Sequence, residues 1–294
     1  MSLFGPKIAE KDYRESALPS TRREVFSDVV SLHLFVLFFC GALLLLASLP
    51  FAATGIADTL YQANIRSMTE AGTLAEGDAL VAVTTMRSVF AALDAAGFLI
   101  FGLVLSGVSQ IVRALGWEEN FRLLREFCKG VRQNGRQYLL LFFLIGLVQF
   151  ACRYSMIAGS GWISFLPAVV CLLLPAPVAA YMLVTITVYE LGFAQQIRYA
   201  LIVFGKNKLK TWIAVLICYI PFAVIVIGKM FLGALFAAIL QALVFFLLPF
   251  VLLGWFLFAF DRMDGAINEK YYPELVGKGL HLTEYDDDSY WLET

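Results

Sequence analysis

Two carboxylates stand three residues apart in Asp261-Arg262-Met263-Asp264-Gly265, a spacing that puts both toward one side of a helix and would let them hold a cation. No third acidic ligand follows at helical spacing on that face, so a solvated helix end is the simpler reading. A second charged pair is distant in sequence: Asp94 and Arg153 each fall inside an apolar run. An ionisable side chain costs about 2.5–3.5 kcal/mol at the centre of a membrane helix. If the two runs form an antiparallel hairpin, Asp94 and Arg153 share a depth. A structural ion pair is then expected in preference to a substrate carboxylate site, because both side chains also reach the outer headgroups. His33 and His281 are the only histidines, too few for a His-rich zinc site or a serine triad with its base. Neither a GxxxxGK[ST] phosphate loop nor a GxSxG elbow is present. Cys40, Cys152, Cys171 and Cys218 lie in apolar runs and Cys128 outside them, with no CxxC spacing, so the thiols read as small hydrophobes. No catalytic residue, cofactor or metal is assigned, and a non-enzymatic protein is expected.

The elements that carry these residues follow from hydropathy. Sixty per cent of the chain is apolar and the mean hydropathy is +0.78, more than a soluble domain of 294 residues could cover with polar surface. Runs of about 20 residues, enough to cross about 30 Å of hydrocarbon, fall at 30–53, 91–112, 138–158, 163–189, 211–227 and 232–260. The expected fold is all-α: a polytopic helical bundle of about six spans, with a segment 1–29 before it, an outer loop 54–90, two elbows at 113–137 and 190–210, and an acidic tail 261–294. A tight outer turn is expected at Gly228-Lys229-Met230-Phe231. Lys and Arg crowd the segments before the first span, after the second, after the fourth and after the sixth. Only Arg66, Arg87, Arg153 and Lys229 fall on the other side, which puts both termini in the cytoplasm of a plasma-membrane protein. The first run, Val29 to Leu49, exceeds the 7–15 residues of a signal h-region, which favours a retained anchor over cleavage near Ala52 or Ala53.

Two connections carry apolar stripes. Trp117, Phe121, Leu124, Cys128 and Val131 recur at 4-3-4-3 with charges on most of the other side, as expected of an amphipathic elbow helix that lies on the membrane or meets a partner. Phe193, Ile197, Leu201 and Phe204 repeat the plan at 4-4-3, so the two hairpins resemble a parallel duplication. In the fourth span, Pro167, Pro175 and Pro177 each remove a backbone donor and leave carbonyls near Cys171 and Leu173 without their usual partners. Such a break suits either an ordinary kink or a solute path. Gln149 and Gln241 are expected to hydrogen-bond between helices. The tail from Glu284 to Thr294 is acidic with interleaved aromatics and should stand off an anionic lipid surface. With a net charge of −1 and basic residues explained by topology, nothing points to nucleic acid.

The segment from Gly102 to Arg113, then Trp117-Glu118-Glu119-Asn120 and Phe127-Cys128-Lys129-Gly130-Val131-Arg132-Gln133-Asn134, resembles the YesL-like family of bacterial membrane proteins, in which a helix ending in a basic residue precedes an aromatic elbow. Ser48-Leu49-Pro50 and Thr54-Gly55 are similar to that family's LP…TxG element. The chain departs from the pattern in its long outer segment, Thr54 to Phe90, which carries Glu70, Glu76 and Asp78. The resemblance implies a helical bundle often encoded beside carbohydrate ABC-transporter components, and it brings no catalytic residue set. Two functions are therefore expected in competition. One is an accessory or assembly component whose elbows and tail meet ABC-transporter components or other membrane proteins. The other is an autonomous small-solute or saccharide transporter built on the proline-broken span, against which stands the scarcity of buried coupling charges.

Overall fold

The computed structural model describes residues 19–119, 122–159, 161–232 and 234–281. Among them every regular element is helical. Helices α1 (Arg22–Leu32), α2 (Leu34–Ala47), α3 (Leu49–Glu70), α4 (Glu76–Gly116) and α5 (Leu123–Ala158) are followed by a short 3₁₀ turn at Trp162–Phe165. Then come α6 (Leu166–Leu173), α7 (Pro175–Val188), α8 (Phe193–Lys206), α9 (Lys208–Leu232) and α10 (Ala234–Met263). Five helical stretches among the described residues are long and apolar enough to cross a membrane, and six if the bent pair α1 and α2 forms one span. Large side chains such as Phe143, Leu147, Ile217 and Ile220 point outward, as they must where lipid is the solvent.

Several boundaries depart from the hydropathy reading, each for a local reason. The first run is broken at His33, where the chain turns by 83°. α1 is a separate amphipathic helix, started by a capping box between Thr21 and Glu24 and docked through Val25 and Val29. α2 then packs so closely on α10 that a Cβ on Gly41 would stand 2.0 Å from the Phe246 carbonyl oxygen. Only glycine fits there. The expected outer loop 54–90 is two helices joined by a turn at residues 71–75: α3 continues to Glu70 and α4 begins at Glu76. At 1.5 Å per residue the 41-residue α4 is about 60 Å long, twice the hydrocarbon thickness, so its N-terminal half projects beyond the span. The expected turn at 228–231 is helical instead, because α9 runs on without a break to Leu232.

The centre of the bundle is the α4–α5 pair, brought together by small residues. A Cβ on Gly130 would lie 2.6 Å from the Ser106 carbonyl oxygen, and one on Gly146 would lie 2.7 Å from that of Ala95. Around this pair a continuous core runs from Val25 and Leu37 through Leu105, Ile111, Tyr138 and Tyr181 to Phe256 and Ile267. Its most enclosed part is at the Lys/Arg-rich end of the helices. There, segments far apart in sequence close over one another.

Candidate functional site at the basic end of the bundle

The stripe expected over 117–131 is divided by the fold. α4 ends at Gly116, Glu118 takes a positive φ of 53°, and α5 begins at Leu123, so Trp117 does not share a helix with Leu124, Cys128 and Val131. Trp117 points into the core with 9% of its surface exposed and its ring 5.7 Å from that of Phe260. The Arg113 guanidinium and the Lys278 ammonium lie 4.7 Å and 4.2 Å from the indole ring, a cation–π arrangement. Phe121 lies outside the described residues. Leu124 and Cys128 are exposed and Val131 is half-buried on the first turns of α5. That elbow is therefore helical but continuous with the span after it. The second elbow, α8, is a helix of its own. Its buried side is Gln196, Ala200, Val203 and Phe204, rotated from the 4-4-3 stripe, and Leu201 is exposed.

Asp94 and Arg153 meet. The carboxylate is 6% exposed and accepts from the Arg153 guanidinium on one oxygen and from the Thr54 hydroxyl on the other. Thr54 comes from α3, so the contact ties α3, α4 and α5 together near the outer end of the bundle. The prolines fall where helices tolerate them: Pro167 in the first turn of α6, Pro175 and Pro177 in the first turn of α7, with Leu174 as the break between. Pro177 cannot donate to the Leu173 carbonyl, and the indole N–H of Trp212 on α9 does so instead, at 2.9 Å. Cys152 and Cys171, distant in sequence, bring their sulfurs to 3.7 Å of one another. Gln149 does not answer the expectation of an interhelical bond through its carbonyl: its Oε1 is buried without a partner.

Asp264 is not the solvated helix end expected from sequence. α10 widens into a π turn at Asp264–Asn268, and that turn directs Asp264 toward Arg22, 3.2 Å away, and toward the backbone N–H of Gly277. Asn268 donates to Asp264 at 2.7 Å and accepts from the Tyr189 hydroxyl. Burial lowers the pKa of Arg22, opposed by the charge of Asp264. The chain then folds back. Gly279, at φ 82°, passes so near Gly116 that a Cβ would lie 2.3 Å from its carbonyl oxygen, and His281 bonds Glu118 at 2.9 Å and the Pro19 carbonyl through its backbone. Among the described residues no three His, Cys, Asp or Glu side chains converge as a metal site.

Beside this closure is a polar cavity of about 330 Å³ between α4, α5 and the end of α7. Gln110 and Arg113 line it from α4, Gln133, Asn134 and Gln137 from α5, and residues 186–190 from the third side. Gln110 is fully enclosed and bonded to Glu126 and Asn134 at 3.2 and 3.4 Å. Arg113 pairs with Glu119 at 3.2 Å, yet its Nε has no acceptor; Gln137 donates to the Leu191 carbonyl, yet its Oε1 has no donor. Sequence reasoning passed over this site. Its signal is the run Ser106, Ser109, Gln110 and Arg113 at i, i+3, i+4 and i+7, one polar face of a helix that must be buried. No family model, curated protein or solved structure matches this chain.

Proposed function

We propose that this chain is a non-enzymatic plasma-membrane protein with both termini cytoplasmic, serving as an accessory or assembly component whose working face is the Lys/Arg-rich end. The observation that carries the reading is the closure of that end: α1, the α4–α5 turn, the π turn and the segment 273–281 are held together by Arg22–Asp264, Trp117–Phe260 and His281–Glu118. Such a rigid platform presents exposed Leu124, Cys128 and Leu201 without the ordering cost that a loose loop would carry. Under the YesL-like resemblance the partner is a component of a carbohydrate ABC transporter. The test is co-purification in mild detergent with mass spectrometry. A permease or ATPase recovered in stoichiometric amount, and lost from Leu124→Ser with folding intact, supports the reading. Recovery of the same partner undiminished by Leu124→Ser removes that face from it.

The alternative, autonomous transport of a small solute or saccharide, is favoured by the polar cavity at the same end. It gains less from the proline break than the sequence suggests, since the Leu173 carbonyl is already occupied by Trp212. Uptake of saccharides into liposomes above the level of empty vesicles would move the weight to it.

A further inference from the structure

The cavity at the end of α7 has two unlike walls. On the α7 side no described hydrogen bond reaches the carbonyls of Ile186, Thr187 or Val188, because Tyr189 is the last residue to close the helical ladder and the Leu191 N–H turns back to Tyr189. These free carbonyls form the negative end of the helix dipole. Glu190, next along the chain, lines the same cavity, is exposed, and has no ion pair or hydrogen bond among the described residues. On the α4 side stands Arg113, its charge placed by Glu119 and Trp117.

The cavity thus carries a guanidinium on its α4 side and a carboxylate with helix-end carbonyls at the end of α7. A volume of about 330 Å³ suits a small ligand. An anion alone would meet Arg113 but face the carbonyls and Glu190; a cation alone would meet those and face Arg113. We propose that the cavity binds a small zwitterion with a primary ammonium, which donates to Glu190 and the α7 carbonyls, and an anionic group, which accepts from Arg113. A free amino-acid-like solute and the headgroup of an ethanolamine phospholipid both carry this chemistry. Binding here requires no protein partner.

The experiment uses the purified full chain in detergent and in nanodiscs. Calorimetry with glycerophosphoethanolamine should show saturable binding at least tenfold tighter than with glycerophosphocholine, whose quaternary ammonium has no N–H to donate. Glu190→Gln, on an exposed side chain without folded partners, should weaken it at least tenfold. Native mass spectrometry then separates the sources. Selective retention of phosphatidylethanolamine over phosphatidylcholine identifies a lipid; soluble binding without lipid selectivity identifies a free solute. Equal binding of the two headgroups, no binding of either form, or full affinity in Glu190→Gln would overturn the proposal.

Discussion

Removing the two partners of the Asp94–Arg153 pair should have unequal effects, and the inequality follows from exposure. Asp94 is 6% exposed, whereas the Arg153 side chain is 42% exposed and reaches outward. Arg153→Gln therefore strands a buried carboxylate with only the Thr54 hydroxyl for company. Removing one partner of a fully buried pair costs about 3–5 kcal/mol, and the partial exposure of Arg153 reduces this to about 2–3. Asp94→Asn leaves an acceptor for Thr54 and frees a guanidinium that can extend to the headgroups, for a cost of about 1 kcal/mol. In the double variant the stranded charge is gone, so the loss should be about 1–1.5 kcal/mol, well below the sum of the single losses. Reversible unfolding in mixed micelles, followed by tryptophan fluorescence, measures all four corners of the cycle. If Arg153→Gln proves as mild as Asp94→Asn, or the losses add, the carboxylate is not held by this contact.

Other consequences follow from single contacts. Trp212→Phe removes the donor that replaces the Pro177 N–H and should lower stability by about 0.5–2 kcal/mol in the same micelle assay, with little effect from Trp162→Phe, whose side chain is exposed. Gly41→Ala drives a methyl into the Phe246 carbonyl and should cost about 1–3 kcal/mol or shift α2 away from α10, seen as a lower unfolding midpoint. Glu24 is held below the usual carboxylate range by hydrogen bonds from Ser20 and Thr21. Its contribution is thus present above the ordinary Glu value of about 4.3 and is lost as pH falls through the lower folded value; the protection of the amides at the start of α1, taken relative to their intrinsic exchange at each pH, should fall in that window and be independent of pH above it. Mild oxidation should join Cys152 to Cys171, whose sulfurs are 3.7 Å apart, and tryptic mass spectrometry should find that link in preference to any involving buried Cys40.

Most of the bundle was legible because the bilayer imposes its own length scale on apolar runs, and spacing along a helix suffices to read the α4 and α5 spans. The departures arise where that scale no longer applies. Residues 54–90 are too polar for a span, and hydropathy alone does not distinguish a loop from helices that extend into water. The His33 turn is hidden inside an apolar run, since a change of direction leaves hydropathy untouched. The 117–131 stripe misled for a different reason: the residues between α4 and α5 preserve the helical phase of the apolar positions while Glu118 leaves helical conformation. Asp94 and Arg153 could be paired from depth alone, once their helices were taken as neighbours. The polar cavity could not, because its third wall is the end of α7, and which helix end faces Gln110 and Gln137 is a matter of packing over 50 or so residues of chain.

Every functional reading here depends on the Lys/Arg-rich end facing the cytoplasm, and the chain carries its own reporter of sidedness. Cys128 is exposed at that end, while Cys40 and Cys152 are buried and Cys171 and Cys218 lie along the spans. A membrane-impermeant maleimide applied to spheroplasts should leave Cys128 unlabelled until the membrane is permeabilised, and Cys128→Ser should then abolish the labelling. Labelling of Cys128 in intact spheroplasts would invert the topology and contradict the account.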